Sequence, residues 1–425
     1  MYDMSYTKIR FLLGKIICLL FLGQTTPAFA QDAMADFRER LRVLREASLL
    51  GYVAPEDAAA KAGAQFKALT DADAATSVNV SRTGPISGYM EFHFNNVQNR
   101  DPVLDFHRFV LLFSHSFSDR VRFMAELELE HAVVSGETEG ELELEQAYVD
   151  FLISPPFNAR AGMVLAPVGV INERHEPPVF HGVERPSVET VIIPTTWFGA
   201  GVGVYGEVRG ALRYRVYAME TLDASSFSAE EGLRDGRQKG AESNAKHIAG
   251  TGRLEYLGTP GLVLGASFWS GDTGFAFPRI DTSVTMTEFD GRYRWRELGV
   301  RGLYAHAFLD GMAELNSTVQ RIVGVSPNVA DQMRGFYLEG SYFVVPKPAP
   351  RELAMFVRYE NFDTQYRMPD GFNPIPAFDR DSWTFGITYF PDPDVAVKVD
   401  YTMLRSQSDV VPAPNSFNVG LGWWF

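Results

Sequence analysis

The chain of 425 residues has a single cysteine, Cys18, in its first thirty residues, with Ile17 rather than a small residue before it. A lipid-anchoring reading of Cys18 is therefore weak, and once this leader is removed no thiol remains for disulfides, cysteine-based metal sites or redox chemistry. Long apolar runs are missing as well. After residue 30 nothing approaches the roughly 20 apolar residues that a membrane-spanning helix needs, so a membrane protein of this sequence has to be a barrel. Positive charge is scarce: the formal net charge is −14. Removing residues 1–30, with three basic and one acidic residue, takes it to −16, which argues against nucleic acid as a partner. Nucleophile-elbow and zincin spacings are absent too, and the Ser, His and Asp residues are scattered over strands and loops. The expectation is a non-enzyme without a cofactor.

What is present begins at the ends. Lys8, Arg10 and Lys15 precede the apolar run Ile16 to Gly23, and Pro27-Ala28-Phe29-Ala30 offers a small-x-small cleavage site. This pattern predicts a signal peptide over residues 1–30. At the other end Phe417, Val419, Leu421, Trp423 and Phe425 alternate with Ser416, Asn418, Gly420, Gly422 and Trp424. One apolar face up to a terminal aromatic is what a lipid-facing strand requires, and it resembles the recognition signal of outer-membrane barrels. The competing reading is an edge strand of a soluble sandwich.

Residues 31–83 differ from the rest. Phe37, Leu41 and Leu44 fall on one helical face among Arg38, Glu39, Arg40, Arg42 and Arg45, followed by an Ala- and Asp-rich stretch over 56–77. A short periplasmic helix and a linker are predicted, with a loosely ordered leader as the alternative. From Gly84 to the C-terminus the pattern has period two. In the clearest strand Val395, Val397, Val399, Tyr401 and Met403 point outward and Ala396, Lys398, Asp400 and Thr402 inward. Trp383, Phe385, Ile387 and Tyr389 form the stripe before it, and Pro391-Asp392-Pro393-Asp394 joins the two as a tight hairpin.

The predicted strands are 84–95, 104–116, 120–131, 141–152, 159–168, 198–207, 210–220, 248–257, 261–271, 284–296, 298–308, 334–345, 353–362, 380–390, 394–405 and 416–425. The fold class is all-β, an antiparallel transmembrane barrel of about sixteen strands in a bacterial outer membrane, with a water-filled lumen rather than a packed core. Short connections, Phe117-Ser118-Asp119 and Gly258-Thr259-Pro260 among them, belong on the periplasmic side. The stretches 221–247, 309–333 and 363–379 are long outer loops. Apolar parity switches around 146–150 and blurs around 299–306, where β-bulges are expected.

Several charged groups are candidates for function. The connection 169–197 is too rich in charge and proline for a strand, and its economical role in a wide barrel is to fold inward. Arg174, His175, Glu176, Glu184 and Arg185 would then line a constriction; the alternative is a surface loop pinned by its prolines. Arg292, Arg294 and Arg296 alternate with Tyr293 and Trp295, Arg213 and Arg215 flank Tyr214, and Arg120 and Arg122 flank Val121. Such rows facing a lumen would attract anions, unless they sit at the periplasmic mouth and merely pair with acids. Glu126, Glu128 and Glu130 oppose Glu141, Glu143 and Glu145 as two acidic rows. These must repel unless cations or arginines intervene. His175 and His181 with Glu173, Glu176 and Glu184 match no metal-site spacing, so loop-stabilising hydrogen bonds are the expectation and no metal is assigned.

The stretches Ala147-Tyr148-Val149-Asp150-Phe151, Arg160-Ala161-Gly162-Met163-Val164, Asn172-Glu173-Arg174-His175 with Pro177-Pro178, and Val183-Glu184-Arg185-Pro186 resemble the phosphate-selective porin O and P family. The similarity is most specific over 145–205 and weaker from 84 to the C-terminus. It implies a sixteen-stranded barrel, a homotrimer, an inward third outer loop and a lumen that conducts anions; the acidic balance departs from that pattern. The sequence thus points to passive diffusion of small hydrophilic solutes, anions such as phosphate, across a lipid bilayer. A cation-tolerant pore and a plugged structural or adhesive barrel remain the alternatives.

Overall fold

The computed structural model describes residues 86–135, 140–276, 279–345, 351–411 and 413–425. The signal peptide over 1–30 and the helix and linker over 31–83 lie outside the described residues. Eight strands make one half of the wall: β1 (Ile86–Val97), β2 (Val103–Ser116), β3 (Val121–Glu130), β4 (Leu142–Ser154), β5 (Phe157–Leu165), β6 (Phe198–Val208), β7 (Leu212–Glu220) and β8 (Ile248–Thr259). The other half is β9 (Leu262–Asp272), β10 (Ser283–Trp295), β11 (Leu298–Asp310), β12 (Gln332–Val345), β13 (Glu352–Arg367), β14 (Asp379–Asp392), β15 (Val395–Ser406) and β16 (Ser416–Trp424). Each pairs antiparallel with its chain neighbours, and β1 pairs with β16 to close a barrel of sixteen strands.

Alternation decides which face each side chain takes, and closure leaves no unpaired edge. On β15 Val397, Val399 and Tyr401 are exposed while Ala396, Lys398 and Asp400 are buried toward the lumen; Trp383, Phe385 and Ile387 are exposed on β14. An apolar outer belt around a polar interior is the arrangement of a barrel in the outer membrane. No helix among the described residues is long and apolar enough to cross a membrane. The chain end completes the wall, with Phe425 N donating to Gly88 O at 2.9 Å and Gly88 N to Phe425 O at 3.0 Å.

The register jumps opposite Glu126 and Leu127, whose partners are Gln146 and Leu144. Glu145 is therefore an extra residue, and the bulge expected near 146 is present there. None occurs at 299–306, where β11 pairs without interruption with β10 and β12. Parity blurs there because both faces are apolar: Val300, Tyr304 and Phe308 are exposed outward, while Leu303, Ala305, Ala307 and Leu309 are buried inward.

Those inward residues belong to a core that a purely aqueous lumen does not anticipate. Met219, Trp269, Met286, Leu303, Met333, Tyr337 and Phe362 from the wall pack with Ile171, Val188, Ile192, Trp197, Leu222, Phe227, Leu233, Met312 and Leu315 from inward-folded connections. The Trp197 and Trp269 rings lie 5.1 Å apart. Each such side chain removed from water contributes about 1.5–3 kcal/mol, so the loops are held by their own apolar residues. The helix α1 (Met312–Val323), inside the stretch 309–333 expected to be plain loop, buries Met312, Leu315, Asn316 and Thr318. Strand β13 runs on to Arg367, which shortens the last predicted loop.

Candidate functional site

The segment 166–197 between β5 and β6 folds into the lumen. Its proline-rich sequence cannot join a ladder, and its backbone groups are satisfied by local turns and by side chains. Asn172, fully buried, closes the neck: its amide donates to Ala166 O (2.7 Å) and Trp197 O (2.9 Å), and its carbonyl accepts from Trp197 N (2.6 Å). From there the loop reaches strands all around the wall. His175 meets Glu145 on β4 at 3.1 Å and Glu126 on β3 at 3.5 Å. His181 contacts Glu339 on β12 at 2.8 Å, Lys398 on β15 donates to Gly182 O at 2.8 Å, and Val183 N donates to Asp400 at 2.6 Å. Val188 N donates to Glu360 on β13 at 3.1 Å. Glu184 lies 3.1 Å from His93 and accepts from Asn95 at 2.9 Å, both on β1. Glu176 leads the short turn Pro177–Val179, its carbonyl accepting from Val179 N at 3.0 Å.

Glycines on the last strand make room for this path. A Cβ on Gly422 would stand 2.2 Å from Cβ of Pro177, and one on Gly420 would stand 3.1 Å from Val183. The alternating glycines of β16 are thus a seat for the loop.

The predicted arginine rows are only partly assembled. Arg215, Arg253, Arg174, Arg292 and Arg213 surround the buried Glu255 at 2.8, 3.3, 3.6, 3.9 and 4.0 Å. Arg215 also meets Glu173 at 2.9 Å, and Arg253 meets Asp290 at 2.6 Å and Glu288 at 3.1 Å. Arg294 lies 3.5 Å from Glu352 and covers the Phe343 ring. Arg296 departs from the expected stripe: it sits in the turn after β10 at φ 54° with its guanidinium over Trp295, because the strand ends one residue earlier. Arg120 lies in the β2–β3 turn and Arg122 is exposed one residue into β3. These three stand at the mouth beside the short turns and do not form a lumen row.

The acidic rows carry counter-charges. Arg108 on β2 lies 3.1 Å from Glu91, 3.4 Å from Glu128 and 3.8 Å from Glu130. Lys239 contacts Glu141, at 2.8 Å, and Glu143, and His175 sits between Glu126 and Glu145. The two rows are not in simple register, since Glu128 faces Glu143 whereas Glu126 faces Gln146, and Glu141 is exposed before β4 begins.

The loop forms part of the wall of a cavity of about 430 Å³. Glu91, Glu143 and Glu184 on its wall already have cationic or imidazole partners. Arg185, Arg234 and Arg237, also on that wall, are held otherwise. Arg185 donates to Thr196 Oγ1 (3.1 Å) and His175 O (3.2 Å), Arg234 to Thr190 O (3.4 Å) and Thr195 O, and Arg237 to Pro194 O (3.2 Å) and Thr196 O. Three guanidinium groups around one cavity thus rest on neutral oxygens. Burial and the neighbouring Arg108 lower the Arg185 pKa, and burial with Arg234 brings Arg237 to about 10. At about 10, Arg237 stays protonated at neutral pH. Sequence reasoning singled out Arg185 alone. Arg234, Arg237 and Lys239 come from the long loop 221–247, where the run Arg234-Asp235-Gly236-Arg237-Gln238-Lys239 was the available signal.

Among solved structures the barrel is similar to the loop L8 deletion mutant of OmpT from Vibrio cholerae, at 10% identity and TM-score 0.53 over 80% of this chain and 98% of that one. It is also similar to the anion-selective porin from Comamonas acidovorans, at 12% identity and TM-score 0.52 over 80% and 98%. The outer membrane channel DcaP of Acinetobacter baumannii matches at 12% identity and TM-score 0.53 over 80% and 96%. At such identities the likeness shows the fold alone, a closed antiparallel β-barrel. No family model matches the chain. Sequence kinship is closer with a protein of Aquifex aeolicus (strain VF5), described only as an uncharacterized protein, which is 37% identical over 331 residues covering 74% of each chain. The chain belongs to the same family as this Aquifex aeolicus protein.

Proposed function

We propose that the protein is an outer-membrane porin through which small hydrophilic solutes diffuse passively, with a preference for anions of the phosphate class. The observation that carries this reading is the cavity wall on which Arg185, Arg234 and Arg237 are held by neutral oxygens while Glu91, Glu143 and Glu184 beside them are engaged by other partners. Guanidinium groups so held keep their charge available to a passing anion and replace part of its hydration. The resemblance to the phosphate-selective porins over 145–205 supports the same solute class, as does the likeness to a porin described as anion-selective. In this reading residues 1–30 are a signal peptide, residues 31–83 a periplasmic helix and linker, and three copies assemble in the membrane.

A second reading draws on the apolar core inside the barrel, where Trp197, Trp269 and Tyr337 are almost fully buried. That core favours a plugged barrel with a structural or adhesive role. Planar-bilayer recording of the purified protein separates the two, since a pore gives discrete current steps and a plug gives none. In a salt gradient the reversal potential should report anion preference. Replacing Arg185, Arg234 and Arg237 together with alanine should move it toward cations, and an unchanged potential would remove this cavity from the conduction path.

A further inference from the structure

We propose that His175, Glu126 and Glu145 form a binding site for a divalent transition-metal ion of the zinc class, which staples the inward loop to the β3–β4 wall. The ligand atoms come from three separate elements, the loop, β3 and β4, and all lie within 4.8 Å of one another. His175 Nε2 is 3.1 Å from Glu145 Oε2 and 3.5 Å from Glu126 Oε1. In a tetrahedral site with bonds of about 2.0–2.1 Å, neighbouring ligand atoms stand about 3.3 Å apart. The observed separations bracket that value.

Each ligand is oriented from behind, as metal ligands are. His175 Nδ1 lies 3.1 Å from Asn172 O, and a carbonyl only accepts, so Nδ1 carries the proton and Nε2 is left facing the carboxylates. Glu126 accepts from Tyr89 Oη at 3.1 Å and from the Gln146 amide. Glu145 owes its inward aim to the bulge, which puts both Glu145 and Gln146 on the lumen side. Among the described residues, Glu145 Oε2 and His175 Nε2, on side chains only 3% exposed, have no hydrogen-bond partner beyond the contacts just given, and the nearby buried Glu128 meets Arg108, at 3.4 Å, without a hydrogen bond to either oxygen.

Charge points the same way. Glu126, Glu128 and Glu145 are buried together, and Arg108, the cation nearest Glu128, is shared with Glu91 and Glu130. A dication offsets that excess better than a single imidazolium, and a mixed imidazole and carboxylate donor set suits zinc or its neighbours. The other cluster of this kind, Asp105, His107 and His131, differs. There Arg108 donates to His107 Nε2 at 2.9 Å, so Nδ1 keeps its proton and donates to Asp105, leaving no lone pair for a metal.

The test uses the purified full-length barrel, stripped with a chelator and titrated with Zn²⁺ by calorimetry, with Mg²⁺ as the control and metal content counted after dialysis. One zinc ion per chain is expected, with affinity reduced at least about tenfold in Glu145→Gln and in His175→Gln. His107→Gln should bind like the wild type. Heat-dependent gel mobility reports whether each variant is folded; if the wall variant Glu145→Gln fails to fold, the loop variant His175→Gln decides. Absence of saturable zinc binding, or binding unchanged in folded His175→Gln, overturns the proposal. Current recordings do not enter this test, so failure of the channel reading and failure of the metal site remain distinguishable.

Discussion

Glu189 offers the sharpest test of how the loop is held. It sits in the helical turn Val188–Ile192, fully buried in the lumen core, where its carboxylate accepts from Ile171 N at 2.5 Å and Tyr337 Oη at 2.7 Å. Burial raises its pKa to about 7 against the opposing pull of those hydrogen bonds. Below the ordinary value of 4.5 the group is protonated in both folded and unfolded chains and contributes no pH dependence. Between 4.5 and 7 the unfolded chain ionises first, so stability falls as pH rises, and above 7 the loss is complete. At 1.36 kcal/mol for each tenfold change in proton affinity, the loss is about 3 kcal/mol. Glu189→Gln keeps the volume and an acceptor but cannot ionise. Thermal unfolding in detergent, followed by circular dichroism at pH 5 and pH 8, should therefore show a smaller drop in the variant than in the wild type. In Glu189→Ala the Ile171 amide and Tyr337 hydroxyl lose their partner at either pH, at about 1–3 kcal/mol each. Parallel pH dependence in wild type and Glu189→Gln would refute the reasoning.

Two further substitutions test the seat of the loop and the ion cluster. Gly422→Val puts side-chain atoms where Pro177 lies, so the loop should lift from β16, with a lower unfolding midpoint and a changed single-channel conductance; wild-type values for both would show that the strand is not its seat. Arg253→Met leaves Glu255, Glu288 and Asp290 with less compensation inside the barrel and should cost about 3–5 kcal/mol, read as a loss of heat resistance on gels; a variant as resistant as the wild type would mean the other arginines suffice.

The wall was legible because a strand has to alternate when one side meets lipid and the other does not. Val397, Val399 and Tyr401 against Lys398 and Asp400 could be placed by counting alone, and the parity switch near 146 marked a true bulge. Counting misled at 299–306, since Leu303, Ala305 and Ala307 are apolar for contact with inward-folded loops, which local periodicity does not encode. Helix α1 left a trace in Met312, Leu315, Asn316 and Val319, spaced for one helical face within a stretch taken for loop. The guanidinium groups of the cavity were harder still. Arg185 was found because its loop stood out, but Arg234 and Arg237 join it only through carbonyls of residues 190–196, a contact between two loops distant in sequence.

The place where the inward loop crosses from β15 to β1 gives it a second role. Val183 is tied to Asp400 on β15, Pro177 and Val183 lie over the glycines of β16, and Glu184 reaches His93 and Asn95 on β1. The loop thus lies like a clasp across the seam where the first and last strands of the wall meet, a seam also stitched by backbone hydrogen bonds, the Asn95–Asn418 side-chain bond and the Phe425 terminus. The seating of the loop and the closure of the wall are then bound to one latch: whatever frees the loop removes side-chain contacts from the seam, and a barrel whose ends have not met has no finished bed on which the loop can come to rest.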